Sequence, residues 1–263
     1  SVYESSKTNL CELKKLMIKN IILCLTIFLP LSTVAQNPRD VTGYIYGIGI
    51  STGKEIYKGY NRRNILLPII GYRGERVNVY GPFVSYKVTE LAEFTFLLQA
   101  APRFQAFDDN DSYIFEGMKD RRFSMDAGTS VNYSKNNWKI NFGLMFDILN
   151  RSNGTSLVAS LSHTFRLGSV FLEPSLTLSY LDDNHVDYYY GVGKDEVSDI
   201  RPEYIGTSTL YTGFGLSIST PIFFGGFTQL SLQQTWFSEE ITDSPLVEDH
   251  GNIIARLVYT RYF

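Results

Sequence analysis

Beyond residue 40 the chain alternates between apolar and polar residues in runs separated by short turn-forming stretches. In "SVFLEPSLTLSYL" (169–181), Val170, Leu172, Leu176, Leu178 and Tyr180 share one side of an extended strand, and Glu173, Ser175, Thr177 and Ser179 share the other. The split recurs. Phe123, Met125, Ala127, Val131 and Tyr133 oppose Arg122, Ser124, Asp126, Ser130 and Asn132, and Trp138, Ile140, Phe142, Leu144, Phe146 and Ile148 oppose Lys139, Asn141, Gly143 and Asp147. Leu210, Phe214, Leu216 and Ile218 likewise oppose Thr209, Gly213, Gly215, Ser217 and Ser219. No comparable helical period is sustained. The pattern predicts strands near 41–51, 64–73, 75–88, 91–107, 121–134, 137–150, 154–168, 169–181, 204–220, 222–239 and 251–263.

Most of these runs exceed the five or six residues, roughly, of a common globular strand and can cross a bilayer at a tilt. Their second face is too polar for the dry core of a sandwich. A closed barrel, apolar outside and polar within, satisfies both faces, and closure leaves no edge unpaired in lipid. The expected fold is therefore all-β, a transmembrane antiparallel up-and-down β-barrel of 10 to 12 strands. Single-chain bacterial barrels have even strand numbers. A short strand hidden in 53–63 gives twelve, the preferred count; a 41–51 segment outside the wall gives ten. Aromatic residues near strand ends (Tyr133, Trp138, Tyr180, Trp236, Tyr259) fit interfacial girdles. In "IIARLVYTRYF", Ile253, Ala255, Leu257, Tyr259 and Phe263 share a face, so Tyr259 and Phe263 are read as a barrel-assembly signal, with Arg261 snorkelling at the aqueous end.

The N-terminal region sets the compartment. From Met17, "MIKNIILCLTIFLPLSTVAQ" combines a lysine, an apolar stretch and the small-residue run Thr33-Val34-Ala35, the layout of a secretory signal peptide. Residues 17–35 are thus expected to be a signal peptide, 1–16 an upstream extension outside the fold, and 36–263 the barrel. Both cysteines, Cys11 and Cys24, precede residue 36, which excludes a disulfide framework or thiol chemistry in the barrel. The chain carries 24 Lys and Arg against 27 Asp and Glu, and residues 36–263 carry 20 against 25. Nucleic acid is not an expected partner.

The candidate chemistry lies in the longer connections. Counting back from a periplasmic C-terminus places 108–120, 182–203 and 240–250 outside the cell, with short inner turns such as 134–137 and 166–169. "LDDNHVDYYYGVGKDE" (181–196) clusters acids, but its sixth position after Asp182 is Asp187 where a calcium loop needs glycine, and no metal site is assigned. Adjacent Ser162 and His163 on one strand point to opposite faces, and no nucleophile elbow exists, so no catalytic residue is assigned. His185 and His250 are expected to be solvated loop residues. Tyr188 and Tyr190 are expected to pack one way and Tyr189 the other, as in a strand, before Gly191 and Gly193 turn the backbone. Asp243, Ser244 and Pro245 are expected to set a turn.

The stretches "GIGISTGKEIYKGY" (47–60), "LPIIGYRGERVNVYGPF" (67–83), "EGMKDRRFSMDAG" (116–128), "DDNHVDYYYGV" (182–192), "RPEY" (201–204) and "ITDSPLVED" (241–249), in this order over the full length, resemble the MipA/OmpV family of outer-membrane proteins. The residues carrying the likeness in the loops are Gly117, Met118, Asp182, Asp183, Asp187, Tyr188, Tyr190, Gly191, Val192, Tyr204, Asp243, Ser244 and Pro245. The resemblance implies a non-enzymatic protein of the outer membrane of a Gram-negative-type bacterium, without cofactor, in contact with lipid and lipopolysaccharide. It further implies a scaffold linking a murein lytic transglycosylase to a peptidoglycan synthase. A narrow channel for small solutes or drugs, served by polar inner residues such as Asp126, Lys139, Asp147, Arg166, Glu173 and Gln233, and a surface adhesin are the alternatives.

Overall fold

Strands form where the alternation is cleanest. In the computed structural model, which describes residues 42–60 and 62–263, they are β1 (Gly43–Gly53), β2 (Arg63–Arg73), β3 (Val77–Tyr80), β4 (Phe83–Leu91), β5 (Phe94–Arg103), β6 (Ser124–Lys135) and β7 (Trp138–Asp147). There follow β8 (Thr155–His163), β9 (Phe165–Leu167), β10 (Val170–Leu181), β11 (Thr209–Thr220), β12 (Phe227–Trp236) and β13 (Gly251–Tyr262). The predicted extension 1–16 and signal peptide 17–35 lie outside the described residues. Every pairing is antiparallel, and β1 pairs β13 from Ile45↔Tyr262 to Gly53↔Ile254, so the sheet closes on itself. β8 and β9 lie end to end along β10, interrupted at Thr164. They make one strand of a twelve-stranded wall.

The expected twelve strands are present, but the twelfth is not where the sequence placed it. Among the described residues, 54–62 connect β1 to β2 without a wall strand, carrying only an isolated bridge from Tyr57 to Val247. Instead the predicted 75–88 strand is cut by a two-residue hairpin, with Tyr80 opposite Phe83. Gly81 has φ 60° and Pro82 follows, the pairing of a left-handed glycine with a ring-fixed φ that suits a type II′ turn. Predicted strands at 91–107, 204–220 and 222–239 are shorter than expected because their ends are drawn into the loops.

The faces follow the parity read from the sequence. Ile140, Phe142, Leu176, Leu178, Leu210, Leu230 and Leu257 are exposed on the outside, whereas Ser124, Asp126 and Ser130 are buried within. Two pairs of inner charges form: Arg103 with Asp126, and Lys139 with Glu173, which also accepts from Thr164 at 2.6 Å. His163 lies between the outer rings of Trp138 and Phe165 at 4.6 and 4.5 Å, while Ser162 donates inward to Glu173. The two side chains are on opposite faces, as the alternation requires. At the short-turn rim the termini of the wall meet. Phe263 N–H donates to Tyr44 O at 3.1 Å, its ring sits 4.8 Å from Tyr46, and Arg261 reaches the Phe224 carbonyl at 3.4 Å.

The wall is uneven. β2 pairs β3 only at Gly71, Tyr72 and Arg73, and β4 pairs β5 only up to Val84↔Ala100. Toward the long-loop end, the upper part of β2 and residues Ala101–Arg103 of β5 have no strand between them. Arg63 spans this gap at its top, donating to the carbonyls of Phe104 (2.9 Å) and Ala106 (2.6 Å) while its Nε bonds Glu55 at 2.6 Å.

Candidate functional site

The long connections leave the ring at different points of its circumference, yet they pack on one another. Ile56, Tyr57, Phe107, Ile114, Phe115, Met118, Val186, Tyr189, Val192, Ile241 and Leu246 form one buried apolar cluster contributed by the β1–β2, β5–β6, β10–β11 and β12–β13 connections. Contacts between loops from opposite sides of a ring must cross its mouth. Tyr57 donates to Tyr189 O at 3.1 Å, Lys58 N–H to Leu246 O at 2.9 Å, and the Phe107 and Phe115 rings stack 3.9 Å apart. The loops are therefore a folded lid with its own core.

At the centre of the lid, Asp183–Tyr190 is a helix, α1. This overturns the strand-like reading of the tyrosine run. The clustered acids, to which no metal site is assigned, are helix-positioning groups: Asp182 is the N-cap, its Oδ1 accepting from His185 N–H at 2.9 Å and its Oδ2 from Thr155 N–H at 2.8 Å. Asp183 accepts from Ser208 N–H and Asp187 from Gly206 N–H at 2.9 Å. In a helix the three tyrosines fan out instead of alternating. Tyr189 is buried, Tyr190 stacks on Tyr57 at 5.7 Å and accepts from Gln105 at 2.8 Å, and Tyr188 accepts from Arg122 N–H at 3.0 Å. Gly191 has an ordinary extended φ of −74°, so it is not a left-handed turn residue; a Cβ there would sit 2.3 Å from Asp187 O. Space, not φ, demands the glycine.

His185 also departs from expectation. It is buried beneath the lid, 3.1 Å from Arg103. Burial, reinforced by the Arg103 charge, holds its pKa well below the ordinary value, so the ring is neutral and its Nε2 can accept.

The other residues named from the sequence gather in the same lid. Met118 is buried, following the exposed left-handed Gly117. Val192 and Tyr204 exchange backbone hydrogen bonds at 2.8 and 3.1 Å, and Tyr204 donates to Glu240 O at 3.0 Å. Asp243 caps the end of the short helix Glu239–Thr242, and Val247 N–H donates to Ser244 O at 3.0 Å across Pro245, the expected turn. Ser244 Oγ donates to Tyr190 O at 2.6 Å, tying that turn to α1. Tyr259 and Phe263 stand apart, at the opposite rim; Tyr259 donates to Phe224 O at 3.1 Å.

Sequence reasoning missed the clamp. Glu196 accepts a two-pronged pair from Arg121 at 2.8 and 2.9 Å, with Lys119 N–H at 3.0 Å and Gly193 N–H at 3.1 Å. Burial alone would raise its carboxyl, but the Arg121 guanidinium and the two amides outweigh it and hold the pKa below the ordinary value. Arg201, also buried, donates to the carbonyls of Glu196, Ile114 and Glu116. The overlooked signal was apolar density in the loops themselves: Ile114, Phe115, Ile241, Leu246 and Val247 are too many for solvated connections.

Beneath the lid lies a cavity of about 620 Å³, the scale of one drug-sized ligand. On β1 the small inward residues Gly49 and Ser51 line it, and a Cβ added at Gly49 would meet nothing closer than 3.6 Å. Its walls include Ile65, Leu67, Ile69, Ile254, Arg256 and Val258, and the lid residues Ile56 and Tyr190 face it from above. Asp147, expected to face a solute path, is committed to organising the β7–β8 loop, accepting from the amides of Leu149, Arg151, Ser152 and Asn153 at 2.6–3.1 Å. Among the described residues no group of three or more histidines and acids is placed to hold a metal ion.

Comparison with known proteins matches residues 46–263 to a family described as "MltA-interacting protein MipA". The chain is 26% identical to the putative outer membrane protein YiaT of Escherichia coli over 77% of this chain and 83% of that one. It is 22% identical to the outer membrane protein Omp26La of Vibrio anguillarum, over 85% and 93%. To a protein named MltA-interacting protein from E. coli it is 23% identical, over 77% and 83%.

Proposed function

Because the chain belongs to the MltA-interacting protein MipA family and is an outer-membrane β-barrel, we propose that it is a non-enzymatic scaffold, holding a murein lytic transglycosylase near a peptidoglycan synthase. The observation that carries this reading is the lid. A barrel whose mouth is crossed by a packed apolar core is poorly suited to bulk diffusion. Asp182, Asp183, Asp187, Tyr190, Arg121 and Arg201 of the shared loops are engaged in holding that lid, which favours the opposite rim for a partner. There the turn at 221–226 presents Phe223 and Phe224, 52% and 81% exposed, with Phe224 in a left-handed conformation at φ 51°. Exposed aromatic anchors on a rigid turn suit protein docking, and the turns at 134–137 and 166–169 flank the same rim.

The test is crosslinking in cells followed by recovery of the barrel. Phe224→Gly is expected to lose the transglycosylase, whereas changing Asp182, Asp183 and Asp187 to Asn is expected to retain it. Loss of the partner in the triple variant with the barrel still folded overturns the assignment of docking to the turn rim, and recovery of no murein enzyme by the unaltered protein overturns the scaffold. The channel reading is favoured by one observation, the 620 Å³ cavity. A large steady ionic current through the protein in planar bilayers selects it instead.

A further inference from the structure

The gap between β2 and β5 is built into the backbone. Gly81 N–H donates to Ile70 O at 3.2 Å, so the even-numbered residues of β2 turn their peptide groups toward the gap. At position 68, beyond the last partner, stands a proline. On the other edge, Ser134 N–H donates to Glu93 O at 2.9 Å and the β5–β6 register runs on without a slip. The even-numbered residues of β5 therefore face the gap, and beyond the last β4 partner stands Pro102. Both unpaired edges thus carry a proline where an N–H would have been orphaned in the membrane.

The side chains agree with the backbone. β2 is apolar on both faces, with Leu66, Pro68 and Ile70 outward and Ile65, Leu67 and Ile69 inward, whereas β6 turns Ser124, Asp126 and Ser130 inward. The β2 edge of the gap is thus apolar from the outer surface to the cavity. Above, the lid closes the axial route. Below, Tyr80 crosses to Thr260 as a floor. Within the cavity, Arg256 has no hydrogen-bond or ion-pair partner among the described residues, while Lys54, Arg63 and Arg103 are paired with Asp249, Glu55 and Asp126. Asn252, on the same face of β13, has a buried Oδ1 without a partner.

We propose that this gap is a lateral doorway through which a single-chain amphiphile with a carboxylate head, of the fatty-acid class, passes from the membrane into the cavity. The chain lies along Ile65, Leu67, Ile69 and Val258, and the carboxylate pairs with Arg256, which is level with Ser51 and Ile65 toward the loop end. This is also the polarity of an amphiphile in the outer leaflet, head toward the cell exterior. One cation sets the charge of the ligand, and the cavity volume limits it to one chain. The site is independent of the scaffold role, since it faces lipid and not the turn rim.

The experiment uses the folded barrel in lipid nanodiscs, with its fold checked by gel mobility before and after boiling, and labelled dodecanoate or its methyl ester as probe. Saturable dodecanoate binding is expected. Arg256→Gln weakens dodecanoate by about tenfold or more, the loss of one charge-assisted contact, and the ester far less. Gly49→Leu, whose added Cβ meets only ordinary contacts at 3.6–3.8 Å, projects into the cavity beside Leu67 and Ile69 and weakens both alike. Pro102→Trp narrows the doorway and slows loading from nanodisc lipid, while its equilibrium affinity is retained. Absence of saturable binding by the unaltered protein, equal binding by Gly49→Leu, or equal loss of acid and ester in Arg256→Gln overturns the ligand site. Unchanged loading by Pro102→Trp overturns the lateral route.

Discussion

Changing Glu196 to alanine isolates the clamp from the wall. The substitution removes the acceptor of four hydrogen bonds of 2.8–3.1 Å and leaves the Arg121 side chain, 10% exposed, with the carbonyls of Lys119 and Tyr188 and the rings of Phe107 and Tyr188 but no counter-charge. Taking one partner from a buried ion pair costs about 3–5 kcal/mol, because the other charge stays buried. No wall hydrogen bond involves Glu196, so the cost falls on the closed lid, which can open locally without the barrel unfolding. About 4 kcal/mol corresponds to roughly a thousandfold rise in the open population. Amide hydrogen exchange on the solubilised barrel reads this directly. Protected amides such as Phe115, Val192 and Tyr204 are expected to lose nearly all of their excess protection, while amides of β6, β7 and β10 are unchanged and gel mobility still shifts on boiling. If lid amides of the variant exchange within about threefold of the unaltered protein, the clamp does not hold the lid. If lid and wall lose protection together, the lid is not a separable unit.

The same geometry gives three further expected outcomes. Gly191→Ala forces a Cβ to 2.3 Å from Asp187 O and is expected to destabilise the lid by about 1–3 kcal/mol, seen as faster exchange at α1 with the wall intact. The depressed pKa of His185 means that the opened lid takes up a proton which the closed lid refuses. Lid protection, corrected for intrinsic exchange, should therefore be full above about pH 6.5 and fall below it by at most about 1.4 kcal/mol per pH unit, a slope that His185→Gln removes. Deleting Phe263 costs the Tyr46 ring contact and the bond to Tyr44 O, and should slow the appearance of the heat-modifiable form more than deletion of exposed Lys194 does.

The wall was legible because alternation in lipid is a strict rule: every residue from Trp138 to Asp147 has its face fixed by parity, and the structure keeps that parity. The count of twelve was legible, but the hairpin at Gly81-Pro82 was not, because a two-residue turn inside "VNVYGPFVSY" hardly breaks the alternation on either side. The long connections and their shared motifs were legible, but the way they pack on one another was not. Period-2 reasoning carried into "DYYYG" gave the wrong element, since Asp182 is an N-cap and the eight residues after it are helical. His185 and Glu196 were misjudged or missed for one reason. Burial within a loop depends on loops from elsewhere in the chain, and no local pattern encodes that.

The closure of β1 on β13 bears on the order of assembly. This seam joins segments from opposite ends of the chain, the contacts with the highest cost in loop entropy. The lid draws Ile56 from just after the first wall strand and Leu246 from just before the last. Its core cannot be complete until the seam has brought those segments together. An unfinished barrel therefore exposes apolar loop surface and a finished one conceals it, so protease resistance at Tyr57 and Leu246 acts as a clock for the final zipping of the ring.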